Sequence, residues 1–199
     1  MSQTLALSST NLPAGAAVEL ETSSLPGGVL SMKAAAPGSH NIDLLSAKSD
    51  AGVPLTATAT GGAMGISRTA GTSLQLVGEA TSSNAKTDKA LFSITMPATY
   101  VSGSNFTVSV DCLAAGTGTI TGGSTTMTLA AYLESIGVET SLTVSAAQPI
   151  LTTASVLTFT ITGTTSILAG SQVLLEFAML ITSASGANTG NVNSVSYTA

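Results

Sequence analysis

Charge is what this sequence is shortest of. Only 8% of its 199 residues are Asp, Glu, Lys or Arg, where roughly 25% is usual for a soluble domain. Five Lys and Arg stand against ten acids, a net charge of −5. Lys86 and Lys89 form the one close basic pair, so the basic stripe that neutralises phosphates is missing, which argues against nucleic-acid binding. A single cysteine, Cys112, excludes an intrachain disulfide framework, and with one histidine, His40, it cannot furnish a zinc site. The most apolar run, residues 173–181, contains Glu176 and falls far short of the roughly 20 residues that span a bilayer as a helix. A membrane role is not expected. Residues 1–13 have neither a basic start nor a long apolar core, so they do not read as a secretory signal. The expectation is a chain made in the cytoplasm and soluble there until it assembles.

Catalytic patterns are missing as well. Gly103-Ser104, Gly123-Ser124 and Gly170-Ser171 are turn pairs, and none lies in a Gly-x-Ser-x-Gly elbow. No Gly-Lys-Ser or Gly-Lys-Thr ends a phosphate loop. Gly116-Thr117-Gly118 lacks the third glycine of a dinucleotide fingerprint. No Asp-x-Asp cluster is present for calcium. Asp111 and Glu176 are the acids of interest, because both interrupt apolar strands. Each belongs on the face opposite its strand's main apolar row. There it is either a solvated carboxylate, or one with a raised pKa or a partner on a neighbouring subunit. Cys112, beside Val108 and Val110, reads as a small buried hydrophobe. His40, in a Pro-Gly-Ser-His-Asn turn, reads as a loop residue. An enzyme, a cofactor and catalytic, cofactor-binding or metal-binding residues are therefore not expected.

What is abundant is neutral and β-prone. Hydrophobic residues make up 44%, and Ser, Thr, Asn and Gly take the place of charge at the surface. Such a surface suits either a structural or secreted β-protein or burial against other chains, since charge is depleted at interface cores. Before residue 70 the pattern is irregular, with short β-prone pieces at 3–7, 17–21, 29–33 and 42–45 between Pro/Gly turns. Afterwards the two-residue period is clear. Ala90, Phe92, Ile94 and Met96 form one row; Phe106, Val108, Val110 and Cys112 another. Met127, Leu129, Ala131 and Leu133 follow, then Leu157, Phe159 and Ile161. Residues 86–113 read as strand, corner and strand, a hairpin-like unit turning at 97–105, while 81–88 and 183–190 read as loops. Residues 173–181 are apolar on both faces, which predicts a central strand or one covered by another subunit. At most one helical turn fits, at 130–136. The predicted fold is all-β: an antiparallel β-sandwich at 71–199, most simply a jelly roll, with an immunoglobulin-like sandwich as runner-up. Residues 1–70 form an N-terminal arm or edge strands.

Several stretches carry a resemblance. They are Leu76-Val77-Gly78-Glu79-Ala80, Lys86-Thr87-Asp88-Lys89-Ala90, Phe92 to Pro97, Ala98 to Gly103, the strand from Phe106 to Asp111, the strand at 170–180 and the terminal Val195-Ser196-Tyr197. Over about residues 74–199 the chain resembles the decoration, or cement, proteins of tailed bacteriophage heads. The resemblance implies a homotrimer on the capsid exterior that bridges major capsid protein subunits. It carries no catalytic or ligand residues. A tail-fibre or spike module binding host glycan is the alternative, though with no Trp and three Tyr there is little to stack on sugars.

Overall fold

The computed structural model describes residues 38–68, 74–81, 85–117, 120, 125–136, 138–183 and 186–199. The pieces expected at 3–7, 17–21 and 29–33, and most of the Gly-rich connection at 116–123, lie outside the described residues.

Among the described residues eleven strands follow in order: β1 (Ser39–Ile42), β2 (Gly65–Ser67), β3 (Gln75–Val77), β4 (Lys86–Thr95), β5 (Phe106–Gly116), β6 (Thr126–Ser135), β7 (Val138–Leu142), β8 (Gln148–Pro149), β9 (Ser155–Ile161), β10 (Gln172–Ile181) and β11 (Asn188–Thr198). Between β1 and β2 a single 3-10 turn, Leu44–Ser46, is capped by Asp43, whose Oδ1 accepts the Leu45 N–H at 2.9 Å. Two antiparallel sheets pack face to face as a β-sandwich. Sheet A has the order β2-β3-β11-β5-β9, with β1 beside β11. Sheet B has the order β4-β10-β6-β7, with β8 beside β6. Residues 38–68 thus contribute to the same body, as β1, β2 and a connection lying on β4.

The alternating rows become the core. Phe92, Ile94, Leu129, Leu175 and Phe177 of sheet B meet Phe106, Val108, Val110, Phe159 and Val195 of sheet A. Phe92 and Phe177, on neighbouring strands, make an edge-to-face pair at 5.5 Å. Each fully buried side chain of this size contributes roughly 2–3 kcal/mol of transfer free energy. β10 lies between β4 and β6, which accounts for its two-sided apolar sequence. Val173, Leu175, Phe177, Met179 and Ile181 point inward, and the neighbouring strands half-bury Leu174, Ala178 and Leu180 from the side.

Pairing is nested around one hairpin. β6 pairs with β7, β5 with β9, β4 with β10, and β3 with β11. This long folded ribbon is then rolled, adding the contacts β6–β10 and β5–β11. β4 and β5 therefore lie in different sheets, and residues 86–113 form an arch across the core rather than a hairpin-like unit. The corner enforces this. Tyr100 is buried, its hydroxyl donates to the Ser104 carbonyl at 2.6 Å, and its ring stands edge-on to Phe106 at 6.2 Å. Pro97 has no N–H for a continuing ladder, while the Met96 N–H bonds across to the Ser171 carbonyl at 2.9 Å.

Four more expectations are corrected. The strand expected to begin near Ala90 begins at Lys86, so Asp88 is a buried strand residue rather than part of an exposed loop. The last strand begins at Asn188, inside the expected 183–190 loop, because Asn188 and Gly190 pack inward beneath β10. His40 is no loop residue: it sits in β1 opposite Tyr197, and the two rings stack at 4.9 Å. Residues 130–136 hold no helical turn and continue β6 to Ser135.

Candidate interaction surfaces

The described side chains divide into two outer faces and an interior, and the outer faces differ in chemistry. On sheet B, Lys89 reaches Glu176 at 2.8 Å and Asp50 at 3.2 Å. The ammonium's pKa is raised, first by its bond to Glu176 and then by Asp50. This network pins the 48–52 connection onto β4 and β10. Beside it runs an open groove of about 550 Å³, lined among others by Lys48, Asp50, Ser93, Glu134, Glu139 and Leu174. Ser93 Oγ lies 3.3 Å from both Glu134 Oε2 and Gln172 Oε1. Glu176, read from sequence as solvated or as paired with another subunit, is paired within its own chain.

The outer face of sheet A is nearly free of charge. Its strand register lines up Ser39, Thr198, Thr107 and Thr160 in one row. Asn41, Ser196, Ser109 and Thr158 form the next, and Ser194, Asp111 and Val156 the third. Asp111 is the one carboxylate in these rows. It is half-buried on the outer face, as its place opposite Val110 and Cys112 requires. Val156 beside it is an exposed apolar side chain. β11 is bulged between Val192 and Ser194, which carries the alternation past Asn193.

The interior holds one acid that the sequence reading passed over. Asp88 is 1% exposed; its Oδ2 accepts the Glu79 N–H at 2.5 Å and its Oδ1 has no partner. Gly78, Met179 and Ile181 crowd it, and at the rim Lys86 pairs with Glu79. Burial raises its pKa, against the bond from Glu79 that lowers it. The signal was available: Asp88 shares the parity of Ala90 and Phe92. Cys112 is fully buried, and burial, with Asp111 next to it, pushes its thiol up to about 11. Tyr100 and Tyr197 are buried structural side chains whose hydroxyls bond to backbone carbonyls, while Tyr132 is half-buried on the outer face of β6.

Asp111 and Glu176 lie on the outer faces of different sheets, His40 is stacked on Tyr197, and Cys112 is sealed in the core. Among the described residues no group of three or more His, Cys, Asp or Glu could hold a metal ion. Nor is any helix among them long and apolar enough to cross a membrane. What the arrangement offers is surface: a neutral hydroxyl-rich face on one side and a grooved, ion-paired face on the other. No protein-family model matches the chain, and no curated protein matches it.

Proposed function

We propose that this protein is a structural component of a virion. In this reading it is a decoration protein on the exterior of a tailed-bacteriophage capsid, where as a homotrimer it bridges and stabilises major capsid protein subunits. The observation that carries the reading is the outer face of sheet A, whose rows of Ser, Thr and Asn hold a single carboxylate, Asp111. A face of neutral hydroxyls and amides costs less to desolvate than a charged one when another protein covers it and supplies hydrogen-bond partners. The nested pairing supports the jelly-roll form of the sandwich. Numbering the eight strands β3 to β7 and β9 to β11 in order gives sheets 1-8-3-6 and 2-7-4-5, two Greek keys in succession. The scarcity of charge and the resemblance of residues 74–199 to cement proteins point the same way. Sedimentation of the purified protein, alone and mixed with bacteriophage heads, tests the reading. A trimer that co-sediments with heads is expected, whereas a monomer that never binds heads overturns it.

A further inference from the structure

Strand edges expose unpaired N–H and C=O groups, and soluble proteins guard them with loops, Lys, Pro or bulges. Setting aside the short β1 and β8, which lie beside β11 and β6, four strands end the two sheet orders, and three of them are guarded. On β4, Lys48 exchanges bonds with Leu91 at 2.9 and 2.8 Å, and Lys89 bonds to Gly62 and Met64 at 2.8 and 2.9 Å. On β9, Ser145 donates to Thr160 at 3.0 Å and Thr162 to Thr143 at 2.9 Å. On β2, the Ile66 N–H donates to the Thr56 carbonyl at 2.7 Å. β7 is the exception: among the described residues it pairs with β6 alone. Its sequence, Val138-Glu139-Thr140-Ser141-Leu142, contains no Lys and no Pro.

The side chains along this edge alternate in chemistry. Val138 and Thr140 have the inward parity of Leu142, yet both are exposed, because sheet A does not extend over them. Glu139 faces outward directly opposite Glu134, and the two acids line both the large groove and a smaller one of about 430 Å³. Like charges placed opposite each other across strands repel, so this hairpin carries a cost that an incoming cation relieves.

We infer that the outer edge of β7 binds an extended segment of a partner protein by strand addition. The segment's alternate residues are apolar, against Val138 and Thr140, and basic, against Glu139 and Glu134. Charge decides between this occupant and a second copy. Antiparallel self-pairing about Thr140 sets Glu139 diagonal to its mate, at roughly 7–8 Å, and gathers four carboxylates on one face. Strand addition draws affinity from the main chain and specificity from alternate side chains. The inference stands without the capsid reading, since the recognition chemistry lies in β7 and β6 themselves.

The test is an NMR titration of the full-length, isotope-labelled protein with a capped hexapeptide alternating valine and lysine, and with its valine–glutamate counterpart. Amide shifts confined to 138–142 and the facing residues of β6 are expected, with about tenfold weaker binding of the glutamate peptide. Glu134→Gln with Glu139→Gln, both exposed and outside the core, reduces that preference to about twofold. Ser141→Lys, a guard placed on the edge, lowers the affinity for the lysine peptide. Equal binding of the two peptides, shifts that map away from β7, or no saturable shift at millimolar peptide would overturn the inference. So would rapid disulfide dimerisation of Thr140→Cys, which would assign the edge to a second copy.

Discussion

The Tyr197 hydroxyl donates to the Thr95 carbonyl at 2.9 Å, joining the last strand of sheet A to the end of β4 in sheet B. Tyr197 is buried, and its ring is covered by His40. A side chain from β1 thus covers a hydrogen bond that ties these two strands across the sandwich. Tyr197→Phe removes the donor and leaves the Thr95 carbonyl without this partner. The expected loss is about 1–2 kcal/mol of unfolding free energy, measured by denaturant titration. His40→Ala should cost less alone and be non-additive with Tyr197→Phe, because stacking and bond share one ring.

Asp88 gives a pH dependence whose sign follows from its burial. Its folded pKa is raised, so the folded state holds the proton to higher pH than the unfolded chain, where an Asp titrates near about 3.9. Below the unfolded value both states are protonated and the group costs nothing. As pH rises from there through the folded pKa the folded state loses stability, and above that the cost is constant. Glu79 and Lys86 are the charged groups around it, and they are paired with each other. Asp88→Asn removes the titration. Its unfolding free energy relative to wild type should therefore climb as pH rises above about 4 and level off beyond the folded pKa. A flat difference across melts at matched ionic strength would contradict this.

How legible these features were in the sequence depends on how local the physics is. The inward rows of β4, β5, β6, β9 and β10 follow from a two-residue period that each strand carries within itself. Pairing does not: that β4 partners β10 and not β5 depends on a corner in which buried Tyr100 bonds Ser104, and on Met96 reaching Ser171. Asp88 was missed because its polar neighbours outweighed its parity with Ala90. The unguarded edge of β7 was invisible for a similar reason, since it emerges only once the edges of β2, β4 and β9 are seen to be covered by remote loops. Glu139 opposite Glu134 is a register fact, and register depends on how the chain returns after β6.

Two glycines separate crowding by a side chain from crowding by the backbone. A Cβ at Gly190 would strike the Met179 thioether, whereas a Cβ at Gly163 would strike the Ser104 carbonyl. Overpacking of either kind costs typically about 1–3 kcal/mol. Met179 is flexible and can be shortened, so Met179→Ala should recover part of the loss in Gly190→Ala, with a favourable coupling energy in the double-mutant cycle. Gly163→Ala has no such remedy, because the corner backbone is fixed by Tyr100 and by the Asn105 side chain, whose Oδ1 accepts the Gly163 N–H at 3.1 Å. Denaturant midpoints of the three single variants and the double variant decide the matter.

Cys112 offers a clock for opening of the core. Its thiol is fully buried between Cys-flanking β11 and β9 partners, Val192 and Ser155, and burial pushes its pKa up to about 11. The thiolate is the reactive form, so at pH 7–8 the folded protein should be inert to thiol reagents on two counts, access and ionisation. β5 is a central strand of sheet A, which leaves no local fraying that frees the thiol without separating β11 or β9 from it. The labelling rate should therefore follow global unfolding, and destabilising variants such as Tyr197→Phe should speed it by the factor their free-energy loss dictates, roughly tenfold for each 1.4 kcal/mol when reclosing outpaces labelling. Labelling that is fast in native buffer, or indifferent to those variants, would mean that sheet A opens at β5 while the rest of the sandwich stays closed.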